Sequence, residues 1–240
     1  MLDKNQITKI ATNLQTTEYN TAEEYCQHIF LSQFYQLPSS ERVFFKGGTA
    51  LRIVFASPRF SEDLDFSSDL MIKDLQPLFQ KTLKAMETYA IQTEALEAKA
   101  TSGGFLAIFV CKLLDFSVQL QVEVSKRNKK DLEGEIFSIN SDFIQPYTLY
   151  NLKTEMLVSE KIQATLTRKK PRDFFDIYFL LRSRLIIPSQ KKDLLKIKTL
   201  IEKSEINFSR ELKQFLPISF HNIIKDFKKT LVNEINRNVA

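Results

Sequence analysis

Apolar residues return at helical spacing along residues 4–36, first at Ile7, Ile10, Ala11 and Leu14, then at Cys26, Ile29, Phe30 and Phe34. A break over residues 16–19 predicts two helices rather than one. Pro38-Ser39-Ser40 reads as a turn. The apolar run Val43-Phe44-Phe45 predicts a strand over 43–46, and Ala50, Leu51, Ile53 and Val54 suit a short buried helix over 48–55 that Pro58 ends. A second strand is expected over 63–67, and Leu75, Leu78, Phe79, Leu83 and Met86 mark an amphipathic helix over 74–90. Gly103-Gly104 is a turn, and the β-rich runs 105–113 and 116–124 meet at Leu114-Asp115 as a hairpin. In the second run Phe116, Val118, Leu120, Val122 and Val124 share one face, and Gln119, Gln121 and Glu123 share the other. Beyond Lys126-Arg127-Asn128-Lys129-Lys130 the pattern becomes loop, then helix from about residue 150, broken at Pro171, Pro188 and Pro217. Strands then helices predict an α+β chain, with a soft boundary near Pro146.

Composition narrows the class. With 43% hydrophobic and 26% charged residues the 240-residue chain is ordinary globular material, large enough for one big domain or two small ones. No apolar run approaches the ~18–20 residues of a membrane span, and the start lacks the basic-then-apolar design of a signal peptide. A cytoplasmic protein without membrane contact is expected. Cys26 and Cys111, far apart and without metal-type spacing, are expected as buried thiols. With His28 and His221 the only histidines, a His-based metal site or Ser-His-Asp triad is poorly supported. The net charge of +5 hides an asymmetry: residues 1–125 carry 11 Lys/Arg and 15 Asp/Glu, residues 126–240 carry 23 and 14. An acidic half beside a basic half suits metal and nucleotide on one and a polyanion on the other, although a Lys-rich surface also serves solubility alone.

The chemistry concentrates in residues 46–66. Asp63 and Asp65, two apart between Leu64 and Phe66, would put both carboxylates on one strand face. Such a pair repels unless a cation lies between, and Mg²⁺ takes oxygen ligands of this kind together with substrate phosphates. Upstream, Gly47 and Gly48 leave backbone N–H groups unshielded, and a helix opening at Thr49 would turn them into a phosphate cradle. Alone, a Gly-Gly pair is usually a turn and Asp-x-Asp a solvated strand face. Their order, strand, glycines, short helix, loop and acidic strand, points to phosphoryl or nucleotidyl transfer.

A second cluster spans residues 155–181. Leu157, Lys161, Ala164 and Arg168 share one helix face, so Lys161 lies among apolar neighbours and needs an anion, with a triphosphate a suitable one. Arg168 is either a second phosphate contact or part of a solvated basic face. Pro171 opens the next helix, where Asp173 and Asp176 fall three apart. Their bland readings are favourable charge at a helix N-terminus for Asp173 and an i,i+4 pair with Arg172 for Asp176.

Phe44-Phe45-Lys46-Gly47-Gly48-Thr49-Ala50-Leu51 with Arg59-Phe60-Ser61-Glu62-Asp63-Leu64-Asp65-Phe66 resembles the AbiEii/AbiGii nucleotidyltransferase toxins. These are toxin halves of bacterial type IV, abortive-infection pairs in the DNA polymerase β-like nucleotidyltransferase superfamily. Residues 155–181 resemble the family's second signature, a Glu-Lys-Leu helix leading to Arg-Asp-x-x-Asp-Leu-Tyr, with Ile162 and Ile177 replacing the leucines. The resemblance implies a polymerase β-like core with a small mixed sheet flanked by helices over 1–147, and an all-helical domain over 148–240 closing the active-site cleft. It places a third carboxylate on the strand beside Asp-x-Asp, which makes Glu123 the third metal ligand with Asp63 and Asp65. It further implies Mg²⁺ or Mn²⁺, an NTP substrate held by Lys46, Gly47, Gly48, Thr49, Ser61, Lys161 and Arg168, and Asp173 facing the active site with Asp176 orienting or structural. The implied biology is phage defence with a separately encoded antitoxin. The implied acceptor is tRNA or another nucleic acid, or alternatively a protein side chain. The rival classes are a non-catalytic nucleotide- or nucleic-acid-binding module and a purely interacting protein.

Overall fold

The computed structural model describes residues 2–239. They form two units, one taking the chain up to Ala56 together with Phe60–Leu152, the other Ser57–Arg59 together with the chain from Lys153 onward.

The first unit holds α1 (Lys4–Leu14), α2 (Glu18–Phe34), α3 (Gly47–Ile53) and α4 (Ile72–Met86) around seven strands. These are β1 (Val43–Lys46), β2 (Leu64–Ser68), β3 (Gln92–Thr101), β4 (Gly104–Leu113), β5 (Phe116–Lys126), β6 (Gly134–Ile139) and β7 (Tyr147–Leu152). Asp3 caps α1 in a reciprocal box with Gln6, and the Thr17 hydroxyl caps α2, which separates the two expected helices. The sheet runs β3-β4-β5-β2-β1-β7-β6, with β2–β5 and β1–β7 parallel and the other pairs antiparallel. This is the mixed, helix-flanked sheet of the expected α+β class. It gains three strands that the pattern did not announce, β3, β6 and β7. Residues from about 150, expected as helix, continue β7 to Leu152 before helix begins at Thr154.

Register decides which side chains the sheet buries. Phe45 lies opposite Phe66, Phe66 beside Val124, and Val124 opposite Phe105, so these four share the core face. Phe30 and Phe34 of α2 and Phe79 of α4 fill that face. The Phe79 ring stacks on Phe34 at 5.5 Å and on Phe105 at 5.7 Å between centroids. Cys26 and Cys111 lie in the same buried layer as free thiols.

The second unit is helical, with α5 (Thr154–Arg168), α6 (Pro171–Arg182), α7 (Leu194–Lys203), α8 (Phe208–Leu212), α9 (His221–Lys225) and α10 (Phe227–Val239). Pro171 stands in the first turn of α6, as its fixed φ favours. Phe174 and Phe175 of α6 meet Phe208 and Phe227, whose rings lie 4.9 Å apart, so the apolar run of α6 is core. Among the described residues no helix is long and apolar enough to cross a membrane.

Phe79 links α2, α4 and β4 through ring contacts. Phe79→Ala is expected to cost about 3–5 kcal/mol of stability, read as a lower urea midpoint at unchanged slope.

Candidate active site

The face of the sheet opposite the aromatic core carries the polar residues. Lys46 of β1 lies opposite Asp65 of β2, and Asp65 lies beside Glu123 of β5. One step on, Ser67 lies beside Ser125, and the buried Lys46 ammonium donates to the Ser125 hydroxyl at 3.3 Å. The Gln121 amide donates to the Glu123 carboxylate at 2.7 Å and orients it. Asp63 immediately precedes β2, with its carbonyl accepting the Thr49 hydroxyl. Of the expected ligands, the ladder thus makes Asp65 and Glu123 direct neighbours and sets Asp63 two residues from Asp65.

Gly47 explains why glycine follows Lys46. Its φ is +84°, and a Cβ there would lie 2.1 Å from Oδ2 of Asp65. The backbone at the start of α3 therefore packs directly on a candidate ligand, and no larger residue fits. Gly48 and Thr49 follow it into the buried first turn. Thr49, expected on phosphate, uses its hydroxyl on Asp63, and Ser61 offers its carbonyl to Gln27 at 2.7 Å.

Among the described residues no three His, Cys, Asp or Glu side chains converge into a ready-made metal cage. The donor set nevertheless fits a hard divalent cation. Mg²⁺ keeps several waters and takes one or two carboxylates plus substrate phosphates, and Asp65 and Glu123 side by side supply that chemistry.

Sequence reasoning missed the α2 side of this region. Glu23 and Gln27 lie one turn apart and are both buried. Burial, with the charges of Glu62, Asp63 and Glu24, pushes the Glu23 carboxyl up to about 8. Glu24 next to it is paired with Arg52 at 2.8 Å, and the Arg52 guanidinium lies over the Phe60 ring. Among these, only the acidic pair inside an otherwise buried helical stretch was visible as a sequence signal. His28, one of the two histidines, is buried against the Tyr147 hydroxyl and pushed down to about 3 by burial and Arg52.

In the second unit Asp176, 0% exposed, accepts from Arg59 at 2.9 and 3.0 Å and from Lys161 at 2.7 Å. The anion that Lys161 requires is this carboxylate. Where spacing suggested Arg172, the partners of Asp176 are Arg59 and Lys161, the first brought by residues 57–59. Burial alone would raise the Asp176 carboxyl, but Arg59 and Lys161 hold it below its ordinary range. Arg168, mostly exposed, donates to Oδ1 of Asp173 at 2.8 Å. Oδ2 of Asp173 is buried without a hydrogen-bond partner.

The sequence matches the family described as nucleotidyl transferase AbiEii toxin, type IV toxin–antitoxin system, over residues 29–231. No curated protein matches it significantly. The fold is similar to that of JHP933 from Helicobacter pylori, with TM-score 0.66 and 18% identity over 93% of each chain. It is also similar to MenT4, the nucleotidyltransferase toxin Rv2826c from Mycobacterium tuberculosis H37Rv. That likeness has TM-score 0.66 and 13% identity, covering 100% of this chain and 94% of the other.

Asp176→Asn leaves two buried cations sharing a neutral amide, and is expected to cost about 3–5 kcal/mol at pH 7 by chemical denaturation. The stability from this carboxylate is present above its unfolded pKa and is lost as pH falls through the lower folded value. Glu23 has the opposite sign. Folded, it stays protonated to about pH 8, whereas unfolded it ionises near 4.5, so stability falls as pH rises through that window. Glu23→Gln is therefore expected to raise Tm little at pH 5 and by on the order of 5 °C at pH 8, measured by scanning calorimetry.

Proposed function

We propose a mechanism from one premise: this chain belongs to the AbiEii family of nucleotidyl transferase toxins of type IV toxin–antitoxin systems, and is a nucleotidyltransferase with an NTP substrate and a cognate antitoxin. The observation that carries the mechanism is the register that sets Asp65 beside Glu123 while the Gly47 backbone packs on the Asp65 carboxylate.

Asp65 and Glu123, with Asp63 two residues away, would hold Mg²⁺ or Mn²⁺. Bound there, such an ion would offset the charge of the triphosphate and polarise the α-phosphorus. The N–H groups of Gly47 and Gly48 donate to phosphate oxygens, since glycine has no Cβ to stand between backbone and ligand. Lys46 adds fixed positive charge on the same face, opposite Asp65. An acceptor hydroxyl attacks the α-phosphorus in line, its oxygen bonds to phosphorus as its proton passes to solvent water, the α–β bridging bond breaks, and pyrophosphate leaves. In the second unit Asp173 keeps one buried oxygen without a partner, a feature suited to a group that meets a substrate donor. Lys161 serves that unit through Asp176.

The acceptor is a nucleic acid, with tRNA the first choice. Support comes from charge: the second unit carries 20 Lys/Arg against 10 Asp/Glu, counting Arg59 with it.

The purified chain incubated with Mg²⁺, total bacterial tRNA and each α-³²P-labelled NTP in turn is expected to label RNA, whereas Asp65→Asn, still folded, falls to background. Label on protein would replace the acceptor. Full activity of Asp65→Asn would end the metal assignment.

A further inference from the structure

Residues 61–63, which carry Asp63 to the start of β2, lie outside any helix or strand. A buried carbonyl in such a segment needs a hydrogen-bond donor. Two side chains provide it. The Gln27 amide, 1% exposed in the middle of α2, donates to the Ser61 carbonyl at 2.7 Å and the Glu62 carbonyl at 3.2 Å. The Thr49 hydroxyl from α3 takes the next carbonyl, that of Asp63. Three consecutive peptide groups are thus pinned immediately before the acidic strand.

A buried primary amide is costly unless its hydrogens are bonded, and here both go to this one loop. Gln27 lies outside residues 29–231, so the family match carries no information about it.

We propose that Gln27 is a positioning residue for the nucleotidyl-transfer site: by clamping the Ser61 and Glu62 carbonyls it fixes the backbone from which Asp63 reaches the divalent cation. The inference rests on the metal reading given above. Partners that orient metal ligands typically contribute about 10–100-fold in metal affinity.

The test is Mn²⁺ binding to the full chain, followed by electron paramagnetic resonance, for wild type, Gln27→Met, Asp65→Asn and Gln33→Met. Gln33 is a control on the same helix, donating to Ser32 and Tyr89. Gln27→Met, close in shape but without donors, is expected to weaken Mn²⁺ binding about tenfold and alter the bound-ion spectrum. Gln33→Met should stay within about twofold of wild type. Should Gln27→Met fail to fold, Gln27→Glu keeps the shape, loses the amide donors and carries the same expectation. Wild-type affinity in the folded Gln27 variant, with binding lost in Asp65→Asn, would overturn the clamp and leave the metal site standing. Unchanged binding in Asp65→Asn would overturn the metal reading and the clamp with it.

Discussion

The parallel pairing of β2 with β5 is the constraint from which the rest of the first unit follows. It sets Leu64 beside Val122 and Phe66 beside Val124 on the face filled by the α2 and α4 aromatics, and Asp65 beside Glu123 on the other. Because the side-chain period of a strand is two, slipping this register by one residue would drive one of Asp65 and Glu123 into the phenylalanine layer. The hydrophobic cost of that slip is what holds two carboxylates next to each other. Apolar burial on one face thus enforces an electrostatic arrangement on the opposite face that carboxylates would not adopt on their own.

The same logic governs the chain between strands. Gly47 packs on Asp65 because the turn from β1 into α3 requires φ of +84° and leaves no room for a side chain. Thr49 then falls where its hydroxyl meets Asp63. In the second unit a carboxylate is treated differently. Asp176 is buried completely but surrounded by Arg59 and Lys161, so it stays ionised at a desolvation cost that its hydrogen bonds offset. Glu23 has no such cations facing it and keeps its proton instead. One chain therefore contains both solutions to a buried acid, pairing and neutralisation, and the neighbours decide which applies.

Much of this was legible in the residue order. The alternation of residues 116–124 placed Glu123 opposite the core, and the family resemblance put the Asp-x-Asp strand beside it. The missing strands failed for identifiable reasons. β3 reads Gln-Thr-Glu-Ala-Leu-Glu-Ala-Lys-Ala-Thr, mostly helix formers on an exposed edge, and becomes strand because β4 offers a ten-residue partner. β6 and β7 are short and only partly apolar, and form by pairing with each other and with β1. Long-range polar contacts were not legible at all. Arg59 and Asp176 are 117 positions apart, Gln27 and Ser61 34, and no local periodicity encodes either pair.

A site assembled in this way is under strain of charge in the protein alone. Burial, with Glu62 and Asp63 close by, keeps Glu23 protonated, and Asp65 and Glu123 are ladder neighbours. Lys46, across from Asp65, offsets part of this charge. On the proposed mechanism a divalent ion relieves this imbalance on binding, so its affinity includes the repulsion removed from the folded chain as well as the bonds it makes. Precision then depends on keeping the ligands from spreading apart beforehand, since a face that relaxed its repulsion by moving would lose the geometry needed for in-line attack. The core face prevents this for Asp65 and Glu123 through strand register, whereas Asp63, just outside the ladder, depends on side-chain donors from α2 and α3.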